Sequence, residues 1–188
     1  SDGKIIVTTS LSDISSNLPM LPKFGTNFII NKEYNNVKWY GRGPHENYQD
    51  RKTSSLVGIY KAKVSELYYP YIRPQENGNR TDTRWLILSD SEGKGIIIET
   101  EKTFEFSAHH QLNDDFDGGN IKYRKQATDL KRPIIHTTDI VERPLINLNV
   151  DYKQMGVGGD NSWGRKPREK YQIKADNYSF SYSISPYN

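Results

Sequence analysis

Two carboxylates, Glu46 and Asp50, lie four positions apart in the stretch WYGRGPHENYQDR at residues 39–51. A pair of acids is the machinery of glycoside hydrolysis, one as general acid and one as nucleophile or base, about 5–9 Å apart across the scissile bond. These two share one short loop with Arg42 and Arg51, so a charge-assisted network that holds the loop fits the spacing better than catalysis. Gly41 and Gly43 permit a turn closed to other residues, and Pro44 stiffens its exit.

A second candidate runs from Tyr68 to Trp85, YYPYIRPQENGNRTDTRW. Pro70 and Pro74 block ladder pairing, and Gln75-Glu76-Asn77-Gly78 is turn chemistry, so the segment reads as a shaped loop. Arg73, Arg80 and Arg84 bracket Glu76, and Arg73 and Arg84 are expected to pair with it and tie the loop together. Tyr68, Tyr69, Tyr71 and Trp85 either anchor the loop to a core or face a sugar ring.

A third, YKQMGVGGDNSWG at residues 152–164, packs three glycines into four positions before Asp160, Asn161 and Ser162. No helix follows and the lysine spacing of a phosphate loop is missing. The turn presents Trp163 between Ser162 and Gly164, where an indole either stacks on a pyranose or enters the core.

Other polar groups carry less. Asp114, Asp115 and Asp117 suggest a metal, and the run from Asn113 through Asp115, Asp117 and Gly118 echoes the start of a calcium loop, but Arg124 stands where the bidentate glutamate belongs, which leaves a solvated acidic turn. His109, His110 and His136 read as surface or satisfied histidines. Asn79-Arg80-Thr81 and Asn177-Tyr178-Ser179 match the glycosylation sequon.

The 188 residues that must position these segments suffice for one domain with a real core. There is no cysteine, which excludes a disulfide framework, a thiol nucleophile and a cysteine zinc site. A net charge of +3, with acids and bases interspersed, argues against nucleic acid, and no apolar run approaches the roughly 18 residues of a membrane helix. Thirteen tyrosines, six phenylalanines and three tryptophans supply apolar area and stacking surfaces.

Period-two alternation marks strands at Ile5 to Leu11, Phe24 to Ile30, Val37 to Tyr40, Leu56 to Val64 and Ile146 to Tyr152. The cleanest is Tyr178, Phe180, Tyr182 and Ile184 against four serines, one face core and the other wet. Trp85 to Leu88 and Gly95 to Thr100 flank a hairpin-length turn, with Phe104 and Phe106 continuing the meander. Residues 126–131 are the one short stretch tolerant of helix. The expected class is all-β, antiparallel, with about ten to twelve strands. The chain starts abruptly in a strand-like pattern, which suggests a fragment of something longer.

Three segments in order, WYGRGPHENYQDR, PYIRPQENG and MGVGGDNSWG, resemble the C-terminal small-chain domain (domain 5) of bacterial β-galactosidases of glycoside hydrolase family 2. The resemblance runs from about Ile5 to Ile184 and implies a galactose-mutarotase-like antiparallel supersandwich. It implies a parent enzyme that hydrolyses terminal β-galactosides with retention, works as a homo-oligomer and resides in the bacterial cytoplasm or periplasm. The family's catalytic glutamates and its magnesium and sodium ligands belong to a TIM barrel absent here, so this segment is expected to carry no catalytic residue, metal or cofactor of its own. By motif, Trp163 resembles the tryptophan that stacks on the aglycone sugar, and Gln75, Glu76, Asn77 and Gly78 resemble a mobile loop beside it. Arg73, Arg84, Asp160 and Asn161 are expected to support these loops. Asp160-Asn161 departs from the family's paired aspartates, and the insert at 114–125 is outside its pattern. Two rivals remain: a free-standing aldose-epimerase-type enzyme using one of the histidines with a glutamate, and an independent carbohydrate-binding module using Trp163, Tyr71 and Trp85.

Overall fold

The structure is a computed structural model that describes residues 3–15, 17–116, 136–159, 161 and 164–188. Its strands are β1 (Ile5–Leu11), β2 (Lys23–Asn31), β3 (Asn36–Gly43), β4 (Leu56–Lys63), β5 (Arg80–Ser89), β6 (Gly95–His109), β7 (Leu145–Gln154) and β8 (Tyr178–Tyr187). All pair antiparallel within one hydrogen-bonded sheet, as the alternating patterns require. The eight strands among the described residues are fewer than the expected ten to twelve. One reason is that the apolar run at 95–100 and the pair Phe104 and Phe106 belong to one strand, the 15-residue β6.

β6 forks the sheet. Its first half, Gly95 to Glu99, lies between β5 and β8, whereas Glu105 to His109 pair with β7. β1 completes the β8 arm and β2 completes the β7 arm. Aromatic side chains close the space between the arms: Phe24 of β2 meets Tyr152 of β7 at 6.4 Å and Tyr178 of β8 at 5.6 Å, and Tyr152 meets Phe180 at 5.7 Å. Thr26 and Tyr182 add a hydroxyl–hydroxyl bond of 2.6 Å across the same gap. Trp39, Leu86, Ile98, Phe106, Leu148 and Val150 form the buried centre. Phe180 and Tyr182 point inward as expected, with Ser179 and Ser181 exposed opposite Ser10 and Thr8.

The polar face of β7 is not solvated. Asn147, Asn149 and Asp151 are buried, opposite His109, Ser107 and Glu105 of β6. Other parts of the chain cover them: Asn113, in a 3-10 turn, hydrogen-bonds Asn147 and Asn149, and Lys23 at the start of β2 reaches Asp151. Buried amides of this kind persist only when bonded, and Asn27 of β2 donates to both Asn147 and Asn149 at 2.6 and 3.0 Å. This polar plate is where the candidate site lies. Residues 126–131, with Asp117 and Arg124, lie outside the described residues.

Candidate functional site

A 3-10 turn at Val64–Leu67 buries Val64 and Leu67 and delivers the chain into the loop at residues 68–79. The aromatics of this loop divide. Tyr68 stacks on Phe116 at 5.9 Å and anchors the loop, while Tyr71 lines a cleft of about 580 Å³. Trp85 sits instead beside Tyr40 on the sheet and is not among the cleft residues.

The three segments singled out in the sequence converge on this cleft. Arg51 comes from the first, Tyr71, Gln75 and Glu76 from the second, and Gln154, Met155, Val157, Gly158 and Gly159 from the third; Lys23 also lines it. The two candidate acids stand behind the walls. Glu46 Oε2 accepts the Gly78 N–H at 2.7 Å and Oε1 accepts the Tyr71 hydroxyl. Asp50 accepts the Val157 and Gly158 N–H groups at 3.1 and 2.8 Å, one on each oxygen. The expected salt-bridge network with the loop's arginines is not formed among the described residues: the donors to both acids are backbone amides and a phenol of the neighbouring loops. Arg42 pairs with Asp82 at 2.5 Å, and Arg51 lies over the Tyr48 ring and donates to the Tyr71 hydroxyl at 3.3 Å.

The expected tie of Glu76 to Arg73 and Arg84 is not formed. Glu76 pairs with Lys23 at 3.4 Å, and Lys23 stands equally close to Asp151. Arg84 lies along β5, where it donates to the Asp82 carbonyl and covers the Tyr40 ring at 5.1 Å, and Arg73 is exposed with no ion pair among the described residues. Arg80 is buried and binds carbonyls of Leu67, Gly78 and Pro44, so it ties the loop where the other two do not. Burial lowers its pKa to about 10.

Asn77, expected to touch substrate, is 3% exposed and does not line the cleft. Its oxygen accepts from Tyr69 N–H at 3.1 Å and from His109 Nε2 at 3.0 Å, while its nitrogen donates to the Gln75 carbonyl. Asn77 shapes the loop from inside. Gln75 and Glu76 do line the cleft. Asn161 is exposed, and Asp160, Ser162 and Trp163 lie outside the described residues.

Titratable groups on the buried plate have displaced equilibria. Burial raises Glu105 to about 7 despite hydrogen bonds from Gln49 and Asn79 at 2.8 and 2.7 Å. Burial raises Asp151 to about 7 against the attraction of Lys23. His109 is lowered to about 3 by burial and by Arg80, so it is neutral, with Nε2–H donating to Asn77. Burial and the Glu46 carboxylate raise Tyr71 to about 12. Among the described residues no histidine side chain is hydrogen-bonded to a carboxylate: His109 binds Asn77, His110 binds the Leu145 carbonyl and Asn35, and His45 binds Ser54 and Ser55. Asp115, placed by the sequence in a solvated turn, is buried in a two-bond ion pair with Arg143 at 2.6 Å. Among the described residues no three histidine, aspartate or glutamate side chains gather as a metal site. Asn79 is fully buried, so its sequon is closed in the folded chain.

Sequence reasoning missed Lys23, Asn47, Tyr48, Glu105, Asp151 and Gln154. A signal was there for the β7 plate: its outward positions are asparagine and aspartate, whereas a solvated strand face favours long charged side chains.

Fold and cleft together define an all-antiparallel β domain that gathers three loops around a groove. The sequence profile described as "Beta galactosidase small chain" matches residues 1–184, and the chain belongs to that family. It is 35% identical over 98% of its length to the β-galactosidase of Priestia megaterium, 32% identical over 99% to that of Streptococcus thermophilus, and 34% identical over 91% to that of Vibrio cholerae. These matches cover 16, 17 and 15% of the relatives, so the chain spans about one sixth of the length of the curated relatives it matches.

Proposed function

We propose that this chain is the small-chain domain of a β-galactosidase, non-catalytic itself, and that its cleft forms the aglycone side of an active site whose acids lie in other domains of the same enzyme. One observation carries the reading: three sequence segments far apart in the chain meet at a single cleft, and both loop acids nearest to a glycosidase pair are consumed in holding its walls. An acid bound to backbone amides behind a wall is not placed to protonate a glycosidic oxygen. The cleft offers what a second sugar takes: a tyrosine ring, the apolar side chains of Met155 and Val157, and the polar ends of Gln75 and Glu76. Trp163, by its motif, would extend that stacking surface, with Asp160 and Asn161 shaping its loop. The reaction class is hydrolysis of terminal β-galactosides with retention, in a homo-oligomeric bacterial enzyme, with magnesium and sodium held outside this segment.

The test has two arms. The isolated chain should not turn over a chromogenic β-galactoside; turnover lost in Glu46→Gln or Glu76→Gln would overturn the non-catalytic role. In the full-length enzyme that carries this segment, Trp163→Ala should raise the KM for lactose several-fold and leave methyl β-galactoside nearly unchanged.

A further inference from the structure

The glycine loop at residues 155–159 offers four consecutive amides, and each is taken. Met155 N–H donates to the Pro22 carbonyl at 3.0 Å and Gly156 N–H to the Tyr171 carbonyl at 2.8 Å. Those acceptors are backbone and would be supplied by any sequence that kept the fold. The next two amides, of Val157 and Gly158, depend on one side chain, Asp50. The contact is close: a Cβ on Gly156 would lie 2.6 Å from the Asp50 carboxylate, so glycine is what lets the acid reach the loop. Gly158 at φ +65° then turns the chain back toward Arg165.

The loop that carries Asp50 is itself immobilised. Asn47 is buried, donates its N–H to the Asn79 carbonyl at 2.8 Å and accepts from the Thr81 N–H and hydroxyl at 2.9 and 2.6 Å, which welds it to β5. Tyr48 is fully buried beside it. From this fixed plate Glu46 reaches one wall of the cleft, at Gly78 and Tyr71, and Asp50 reaches the other. Neither acid lines the cleft.

We infer that Asp50 is a positioning residue for recognition of the second sugar: its carboxylate sets the distance of the Val157–Gly159 wall from the Gln75–Glu76 wall without touching the ligand. This rests on the reading of the cleft as an aglycone site. Two charge-assisted bonds to adjacent amides fix the wall, and a shift of about 1 Å in such a wall is enough to cost a large factor in recognition. The chemical step, whose acids are elsewhere, should not feel it.

The experiment compares wild type, Asp50→Asn and Asp50→Ala in the full-length enzyme, with lactose and methyl β-galactoside as substrates. Asp50→Ala is expected to raise the KM for lactose about tenfold and Asp50→Asn, which keeps one acceptor oxygen, by less, with kcat and the methyl β-galactoside KM within about twofold of wild type. Amide exchange at Val157 and Gly158 should accelerate in both variants while the β-sheet amides stay protected. Equal losses on both substrates, or no loss on lactose, would overturn the recognition role. Unchanged exchange at the two amides would overturn the positioning itself. A wild-type enzyme inactive on both substrates would instead sink the β-galactosidase reading, and the exchange result would still decide whether Asp50 holds the wall.

Discussion

Glu105 on β6 stands directly opposite Asp151 on β7, so two carboxyl groups share one buried face of the sheet. Lys23 lies 3.4 Å from Asp151, and Glu105 is met by the amides of Gln49 and Asn79. Burial raises both acids to about 7, well above the range of exposed carboxyls.

The sign of the resulting pH dependence follows. A carboxyl with a raised folded-state pKa favours the fold while it keeps its proton, so stability is lost as pH rises from the unfolded value through about 7. Glu105→Gln or Asp151→Asn should remove roughly 3 kcal/mol of that loss. Denaturant melts at pH 5 and pH 8 check this: each variant should gain on wild type at pH 8 relative to pH 5. A variant parallel to wild type at both pH values would show that the acid is ionised and solvated.

His109 acts in the opposite direction. A histidine held neutral, with its pKa lowered to about 3, costs stability as pH falls below the ordinary histidine value of about 6.5. His109→Gln, which can still donate to Asn77, should be more stable relative to wild type at pH 4.5 than at pH 7.5. Equal offsets at both values would mean His109 protonates freely.

Lys23 and Glu76 should prove unequal partners. Glu76 has a side chain 38% exposed, so Glu76→Ala is expected to cost at most about 1 kcal/mol. Lys23→Ala strips the buried Asp151 of its cation and should cost about 2–4 kcal/mol at pH 8, less at pH 5, where Asp151 holds its own proton. Chemical denaturation of both variants reads the difference, and equal costs would mean that Asp151 does not depend on Lys23.

Gly78 is expected to be the least replaceable residue of the loop at residues 68–79. It adopts φ +76°, and a Cβ there would stand 2.4 Å from His109 Nε2. Gly78→Ala combines backbone strain with overpacking and should cost about 2–4 kcal/mol. A melting temperature close to wild type would show that the loop relaxes away from β6.

How much of this was legible beforehand depends on the kind of force involved. The alternating runs at 5–11, 146–152 and 178–184 dictated antiparallel strands, because a period of two has one structural solution when one face is apolar. The three loop segments were visible as motifs, and their polar and glycine content showed that they would be shaped. What the chain could not display was partner choice over long separations. Glu76 has arginines nearby in sequence, yet it pairs with Lys23, 53 positions upstream, because the β2–β7 pairing brings that lysine to the floor of the loop. Asp50 and Glu46 look alike as two acids in one turn, and only the fold assigns one to each wall of the cleft. The polar face of β7 is a buried plate for the same reason: burial depends on what lies above a strand, and the residues that cover Asn147, Asn149 and Asp151 come from elsewhere in the chain. Local pattern determined the strands; the tertiary structure alone decided which charges meet and which are shut away from water.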